Sequence, residues 1–368
     1  MKIKKMVITH VRVPLIEPFC ISSGAISEKD GIIVELHASE LVGYGESSPM
    51  AGSFYSCDTP EASWTELCEV VAPAIVGHEF EGPADWNQTL DGLLAGNFTK
   101  AGVETAFWDL KGKRENKPLH VLLGGTRRQI QSGLAVGLYD KLSAMLRTVE
   151  KYLVCGYHRV KLKIEPGRDV DVVKAARKEF GDIPLFVDAN GAYTPRDLDI
   201  FRELDEFGLM MFEQPFPGSF LEELAELQRC VRTPICLDES LHSADQLRLA
   251  IELGSLRIAN LKVQRVGGFY HALEMDRICR EHGITAWVGT MPELGIGQAQ
   301  GAALASLSNF VYPTDVEASD RWFQDDIISP FIQVQNGNIE LPECPGLGYK
   351  LDLERIRNYQ VASRSFAA

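Results

Sequence analysis

Five charged residues, Lys163, Asp188, Glu213, Asp238 and Lys262, follow one another at intervals of 25, 25, 25 and 24 residues. The three acids each close a short apolar run: Leu185-Phe186-Val187, Met211-Phe212 and Ile235-Cys236-Leu237. An ionised carboxylate beside such a run is costly unless something compensates it. Three that converge also repel one another, and a hard divalent cation with oxygen ligands relieves both costs. With no His or Cys in the set, Mg²⁺, or Mn²⁺ in its place, suits these ligands better than Zn²⁺. One acid at a strand end is most often a salt-bridged terminus; three at equal spacing point to a metal held by Asp188, Glu213 and Asp238.

The lysines complete the pattern. In Val160-Lys161-Leu162-Lys163-Ile164 a period of two puts Lys161 and Lys163 on one strand face and the apolar residues on the other. Two adjacent ammonium groups beside a metal are expected to lower each other's pKa, so that a neutral amine becomes available as a base. Lys262 closes Ala259-Asn260-Leu261-Lys262, four strands on from Lys163. A substrate carboxylate on the metal between them would show one face to each lysine.

Such convergence needs a particular set of elements. Apolar, β-branched runs at residues 159–164, 184–188, 209–213, 234–238, 257–262 and 285–289 alternate with amphipathic helical stretches. Repeated βα units imply parallel strands, and a closed barrel brings successive strand ends to one mouth where an open sheet would spread them along a line. A last strand is expected near residues 310–313. Ahead of the barrel, residues 6–14 and 32–37 alternate apolar and polar side chains. Gly43-Tyr44-Gly45-Glu46 is expected to turn into a short strand, and residues 18–24 to form a loop. Residues 60–115 turn helical, with Pro60 near a helix start. The division expected is an α+β domain over 1–125, a barrel over 126–320, and a segment over 321–368 that returns to the first domain.

Composition narrows the function classes. A net charge of -14 opposes sequence-independent nucleic-acid binding, which needs a basic face. No stretch approaches the roughly 18 apolar residues that span a bilayer, and the first residues lack a signal-peptide pattern. The eight cysteines form no CxxC pair and read as reduced thiols. A cytoplasmic, self-associating protein acting on a small carboxylate is expected, with no nucleic-acid or membrane partner. The Gly-rich run at residues 295–301 has three residues before its final glycine where a dinucleotide loop has two, and there is no GxSxG elbow or HxxxH pair.

Together Lys161-Leu162-Lys163, Val187-Asp188-Ala189-Asn190, Phe212-Glu213-Gln214-Pro215, Leu237-Asp238-Glu239-Ser240 and Asn260-Leu261-Lys262 resemble the enolase superfamily, in its muconate-lactonizing-enzyme subgroup, over nearly the whole chain. The resemblance implies a (β/α)₇β modified TIM barrel with an α+β capping domain built from both chain ends. It implies Mg²⁺ on Asp188, Glu213 and Asp238, acid/base roles for Lys163 and Lys262, and Lys161 stabilising the enediolate left when a proton alpha to the carboxylate is removed. Asn190 and Glu239 would support these groups. Phe54-Tyr55-Ser56, the run from Lys262 to Gly268, and Asp315 through Trp322 are most similar to o-succinylbenzoate synthases and N-acylamino acid racemases. Substrate contacts are then expected from Phe19, Ser22, Tyr55, Arg265, Met291, Pro292, Glu293, Asp315 and Glu317. Pro292 and Leu294 depart from that type, and the acidic pair Asp315 and Glu317 is similar to the aspartates by which dipeptide epimerases hold a substrate ammonium. Dipeptide epimerase, muconate-type cycloisomerase and a non-catalytic metal-binding paralogue are the alternatives.

Overall fold

The computed structural model describes residues 1–52 and 55–368. Ser53 and Phe54, which belong to the expected second loop over the site, lie outside the described residues.

The first sheet is antiparallel, in the order β15-β1-β2-β3, from β1 (Lys5–Ile21), β2 (Gly24–Ala38), β3 (Leu41–Ser47) and β15 (Gln360–Ala367). Alternation along β1 and β2 sends Met6, Ile8, Ile32, Val34 and Leu36 to one face, where they pack with Trp86, Val103 and Phe107 of the helices Pro83–Asp91 and Asn97–Glu115. Helices begin at Pro60, where the Thr59 hydroxyl accepts from Ala62 N at 3.2 Å.

Two expectations for this domain change. Residues 18–24 are the closing end of the β1–β2 hairpin, not a free loop: pairing runs from Lys5↔His37 to Ile21↔Gly24, with an irregularity between Pro14 and Phe19. Gly43-Tyr44-Gly45 is strand, not turn. Its glycines answer to the helix laid on top of them, since a Cβ at Gly43 would meet Ala106 O at 2.2 Å and one at Gly45 would meet Gly102 O at 2.0 Å.

A short strand β4 (Gln129–Gln131) leads into the barrel. There β5 (Leu134–Val136), β6 (Val160–Lys163), β7 (Leu185–Asp188), β8 (Phe212–Glu213), β9 (Ile235–Leu237), β10 (Ile258–Asn260) and β11 (Thr285–Trp287) pair in parallel and in sequence order. Outward residues such as Val160, Leu162, Leu185, Val187 and Leu237 pack under the surrounding helices, while Phe186, Met211, Cys236, Ile258 and Trp287 fill the lower interior. The last stave is irregular. Val311 N and Asp315 N bond to Ala286 O and Val288 O at 3.1 and 3.0 Å, and Thr314 N bonds to Gln131 O at 2.9 Å, so the segment closes the ring between β11 and the approach to β5. Pro313 has no N–H to give to a regular ladder. The result is a (β/α)₇β barrel beside an α+β capping domain.

The last segment serves both bodies. β12 (Ile328–Ser329) pairs with β14 (Lys350–Leu351), β13 (Asn338–Glu340) pairs with β4 at the barrel entry, and β15 alone joins the first sheet, along β1. Among the described residues no helix is long and apolar enough to cross a membrane. All eight cysteines are free.

Candidate active site

The strand register does the first work of assembly. Lys163 stands opposite Asp188, and Asp188 opposite Glu213, on adjacent parallel strands, with Asp238 and Lys262 just beyond the ends of β9 and β10. Lys161 and Lys163 share the inward face, as strand parity requires. Lys163 Nζ lies 2.5 Å from Asp188 Oδ2 and 2.7 Å from Asn190 Oδ1, and Asn190 Nδ2 donates to Glu239 Oε1 at 2.8 Å. Lys161 Nζ is 3.4 Å from both Asp188 Oδ2 and Glu213 Oε2, and it donates to Asp315. On the opposite wall Lys262 Nζ donates to Asp238 Oδ2 and to the Tyr55 hydroxyl, each at 2.8 Å. Arg265 Nε lies 3.2 Å from Asp238 Oδ1, and its guanidinium also bonds Tyr55.

The carboxylates around them decide the charge of Lys161 and Lys262. Burial pulls Lys161 down, but Asp315, Glu213 and Asp188 outweigh it and hold its pKa well above the ordinary value. Lys262 behaves in the same way: burial opposes, Asp238 wins, and the pKa rises. Each ammonium faces carboxylates rather than the other lysine, so mutual repulsion does not set its charge.

The three acids divide. Burial raises Asp188 and Asp238, but the cations beside them, Lys163 and Lys161 for the first and Arg265 and Lys262 for the second, bring both below the usual carboxylate range. Glu213 is pushed up to about 8 by burial and by the charge of Asp188. As the side chains stand, no three His, Cys, Asp or Glu among the described residues are gathered closely enough to hold a metal ion. Each acid leans on a lysine or arginine instead. Glu213 Oε2 and Asp238 Oδ1 make only these ion-pair contacts, to Lys161 and Arg265, and accept no hydrogen bond. Buried carboxylate oxygens that accept no hydrogen bond, in an all-oxygen set, are the donors a hard dication takes, so the residues fit Mg²⁺.

The roof comes from the capping domain. Phe19, Ile21, Met50 and Tyr55 close over Lys161, Lys163 and Lys262, and Met291, Pro292, Thr290, Ala135 and Trp322 line the barrel side. The remaining cavity is about 20 Å³, room for about one water. Ligand pockets usually hold roughly 300–1,000 Å³, well above this space. Phe19 packs edge-on against Trp322, with ring centroids 5.1 Å apart. This pair separates the cavity from an outer cleft of about 360 Å³ that both rings also line.

Four expected substrate contacts, Ser22, Glu293, Glu317 and Arg265, do not line the cavity, and a fifth, Asp315, lines it already paired. Ser22 sits in the hairpin turn, and Ile21 reaches the cavity instead. Glu293 is buried beside Lys29 and Glu46, away from the cavity, because the capping domain packs against that side of the loop. Asp315 lines the cavity but is committed: fully buried Arg159 and Lys161 both bond it. Glu317 accepts Ala135 N and lies 3.5 Å from Arg321 Nε. Arg265 touches Asp238 and Tyr55 and acts behind the cavity wall. Sequence reasoning did not single out Ile21, Met50, Thr290, Trp322 or Arg159 as site residues, although all but Met50 lay in stretches already noted.

Comparison with known proteins agrees with this architecture. Residues 3–124 match the mandelate racemase / muconate lactonizing enzyme N-terminal domain, and residues 144–356 match the enolase C-terminal domain-like family. The chain is 40% identical over 365 residues to an o-succinylbenzoate synthase of Geobacillus kaustophilus, covering 99% of this chain and 97% of the relative. It is 38% identical over 349 residues to an N-succinylamino acid racemase of an Amycolatopsis species, covering 95% of each. A crystal structure of an enolase superfamily member from Listeria innocua superposes with a TM-score of 0.95 at 35% identity, covering 100% of this chain and 99% of that one.

Proposed function

The chain belongs to the mandelate racemase / muconate lactonizing enzyme family of the enolase superfamily and is a lyase or isomerase of that superfamily; we propose that it removes the proton alpha to a substrate carboxylate, as an o-succinylbenzoate synthase or N-acylamino acid racemase. The observation that carries this reading is the pair Lys163 and Lys262, on walls four strands apart, lining one closed cavity. A carbon held between them presents one face to each amine. Lys163 takes or returns the proton on its side, and Lys262 does so on the other. Lys161, donating from the floor, stabilises the negative charge that develops on the carboxylate oxygens.

Asp188, Glu213 and Asp238 would hold Mg²⁺, which supplies a Lewis acid for the substrate carboxylate. Asn190, bonded to both Lys163 and Glu239, keeps the first amine aimed inward. Tyr55 fixes Lys262 through its hydroxyl, and the Phe19, Met50 and Trp322 side chains keep water from the carbanionic carbon. If the opposite lysine returns the proton, the product is the epimer; if a β-hydroxyl leaves instead, it is the alkene. The dipeptide reading needs a free acidic anchor for an ammonium, and Asp315 and Glu317 are already neutralised by Arg159, Lys161 and Arg321.

The test is to incubate the protein with Mg²⁺ in D₂O and follow the α-proton of N-succinyl amino acids and of dipeptides by NMR. Exchange with racemisation of the N-succinyl compounds is expected. Exchange of dipeptides alone would overturn the substrate assignment.

A further inference from the structure

The helix Gly295–Leu304 is separated by two residues from the cavity-lining stretch Thr290–Pro292. A helix start leaves backbone N–H groups with no partner inside the helix, and Leu294, at the N-cap position, offers no side-chain acceptor. The acceptors come from outside the barrel. Glu46, at the end of β3 in the capping domain, takes Leu294 N on Oε1 at 3.0 Å and Gly297 N on Oε2 at 2.8 Å. Asp326 of the last segment takes Gly295 N at 2.8 Å.

The same strand end is tied to a second barrel loop. Gln264 donates to Glu46 O at 2.7 Å and accepts Ser48 N at 3.1 Å, and Lys29 Nζ donates to Ser48 O and Pro49 O at 2.8 and 3.1 Å. Lys29, Glu46, Ser48 and Gln264 are all buried. Each tether ends next to a piece of cavity wall. Met50 follows Ser48 by two residues, Lys262 precedes Gln264 by two, and Met291 and Pro292 precede Leu294 by three and two.

We propose that Glu46 is a positioning residue for substrate selection: it closes the open end of a barrel helix from the capping domain and so sets the distance between the Met50 wall and the Met291–Pro292 wall. Glu46 touches no substrate. It acts through the helix and loop it holds, and the spacing it fixes decides how large a side arm the cavity admits. This rests on the reading that the cavity is the substrate site.

Glu46→Gln is the sharp variant, because a carboxamide has only one acceptor oxygen for two converging N–H donors. Asp109→Asn is the matched control. Asp109 is also a buried carboxylate that accepts two backbone N–H groups, from Tyr44 at 2.8 Å and Leu347 at 2.6 Å, together with Lys113 Nζ at 2.6 Å, and it does not line the cavity. The readout is the ratio of kcat/KM between N-succinyl amino acids with large and small side chains. A pocket of this kind discriminates about 10–200-fold per methylene, and Glu46→Gln is expected to shrink the ratio about tenfold, mostly through KM, with exchange at saturating substrate within about threefold of wild type. Asp109→Asn is expected to lower Tm comparably and leave the ratio unchanged. A wild-type ratio in Glu46→Gln, or an equal shift in Asp109→Asn, overturns the proposal. If Glu46→Gln does not fold, Glu46→Asp, which is too short to reach both donors, carries the same expectation. Failure of the reaction assignment looks different, since wild-type protein would then exchange none of the panel; the ratio of Kd values for the same compounds, from calorimetry, then decides the role of Glu46.

Discussion

Lys163, Asp188 and Glu213 stand side by side on strands whose backbones are hydrogen-bonded in register, whereas Phe19 reaches the cavity above them from another sheet, and Met50 and Tyr55 from the segment that follows that sheet's β3. The floor cannot shift by an ångström without breaking a parallel ladder. The roof can, because its contacts to the floor are side-chain packing and a few polar tethers such as Tyr55 to Lys262. A scaffold divided in this way keeps one proton-transfer step constant while its rim changes what is offered to it.

Four changes would break or sharpen that division. The largest effect is expected in the floor: Lys163→Ala and Lys262→Ala should each slow exchange of one enantiomer by about 10²–10⁴-fold, the usual worth of a positioned acid or base, read by NMR from each pure enantiomer in D₂O. Retained exchange in both would end the assignment. Next, Asp315→Asn strips a partner from two buried cations, Arg159 and Lys161, and should lower stability by about 3–5 kcal/mol, measured by urea unfolding; a neutral outcome would mean that Asp315 is free to meet substrate after all. Where roof meets rim, Phe19→Ala and Trp322→Ala, the two rings that pack edge-on, should each raise KM about tenfold while kcat stays within about threefold. A fall in kcat as steep as that of the lysine variants would erase the distinction between floor and roof.

The smallest effect concerns the joint between them. Glu104, on the capping-domain helix Asn97–Glu115, accepts Phe269 N and Tyr270 N at 2.7 and 3.0 Å, at the start of the barrel helix Phe269–Glu281. Glu104→Gln should cost about 1 kcal/mol, as the loss of a helix cap does. Burial pushes Glu104 from 4.5 up to about 7 despite these donors. The folded state then binds the proton more tightly than the unfolded chain, so this group's contribution is full below pH 4.5, falls as pH rises to about 7 and is level above. The stability difference between wild type and Glu104→Gln, measured by chemical denaturation across that window, should follow this curve.

The floor was legible in the sequence because strand parity and the length of one βα unit are local properties, and together they fix where Lys161, Lys163 and the three acids point. Long-range packing hid the rest. Ser22 and Ile21 trade places according to the irregularity between Pro14 and Phe19, which no period reveals. Glu293 turns from the cavity because β2 and β3 bring Lys29 and Glu46 to its other side. Gly43 and Gly45 resemble turn residues until a helix is laid on them. Asp315 could be placed at a strand end, but not its partner Arg159, which rises from below in the barrel. Spacing likewise shows which charged groups converge, but not that Lys161 leans on Asp315 or Lys262 on Asp238.

β15 lies along β1, with Lys5 paired to Ala367. The two strands are neighbours in space and nearly the whole chain apart in synthesis. During translation the barrel strands emerge in the order in which they pair, while the sheet begun by the first strand waits for the last one. Its edge stays open to unwanted pairing until then, and the chain pays a long loop closure to seal it. The domain that roofs the cavity therefore completes its sheet only after every barrel strand beneath it has emerged.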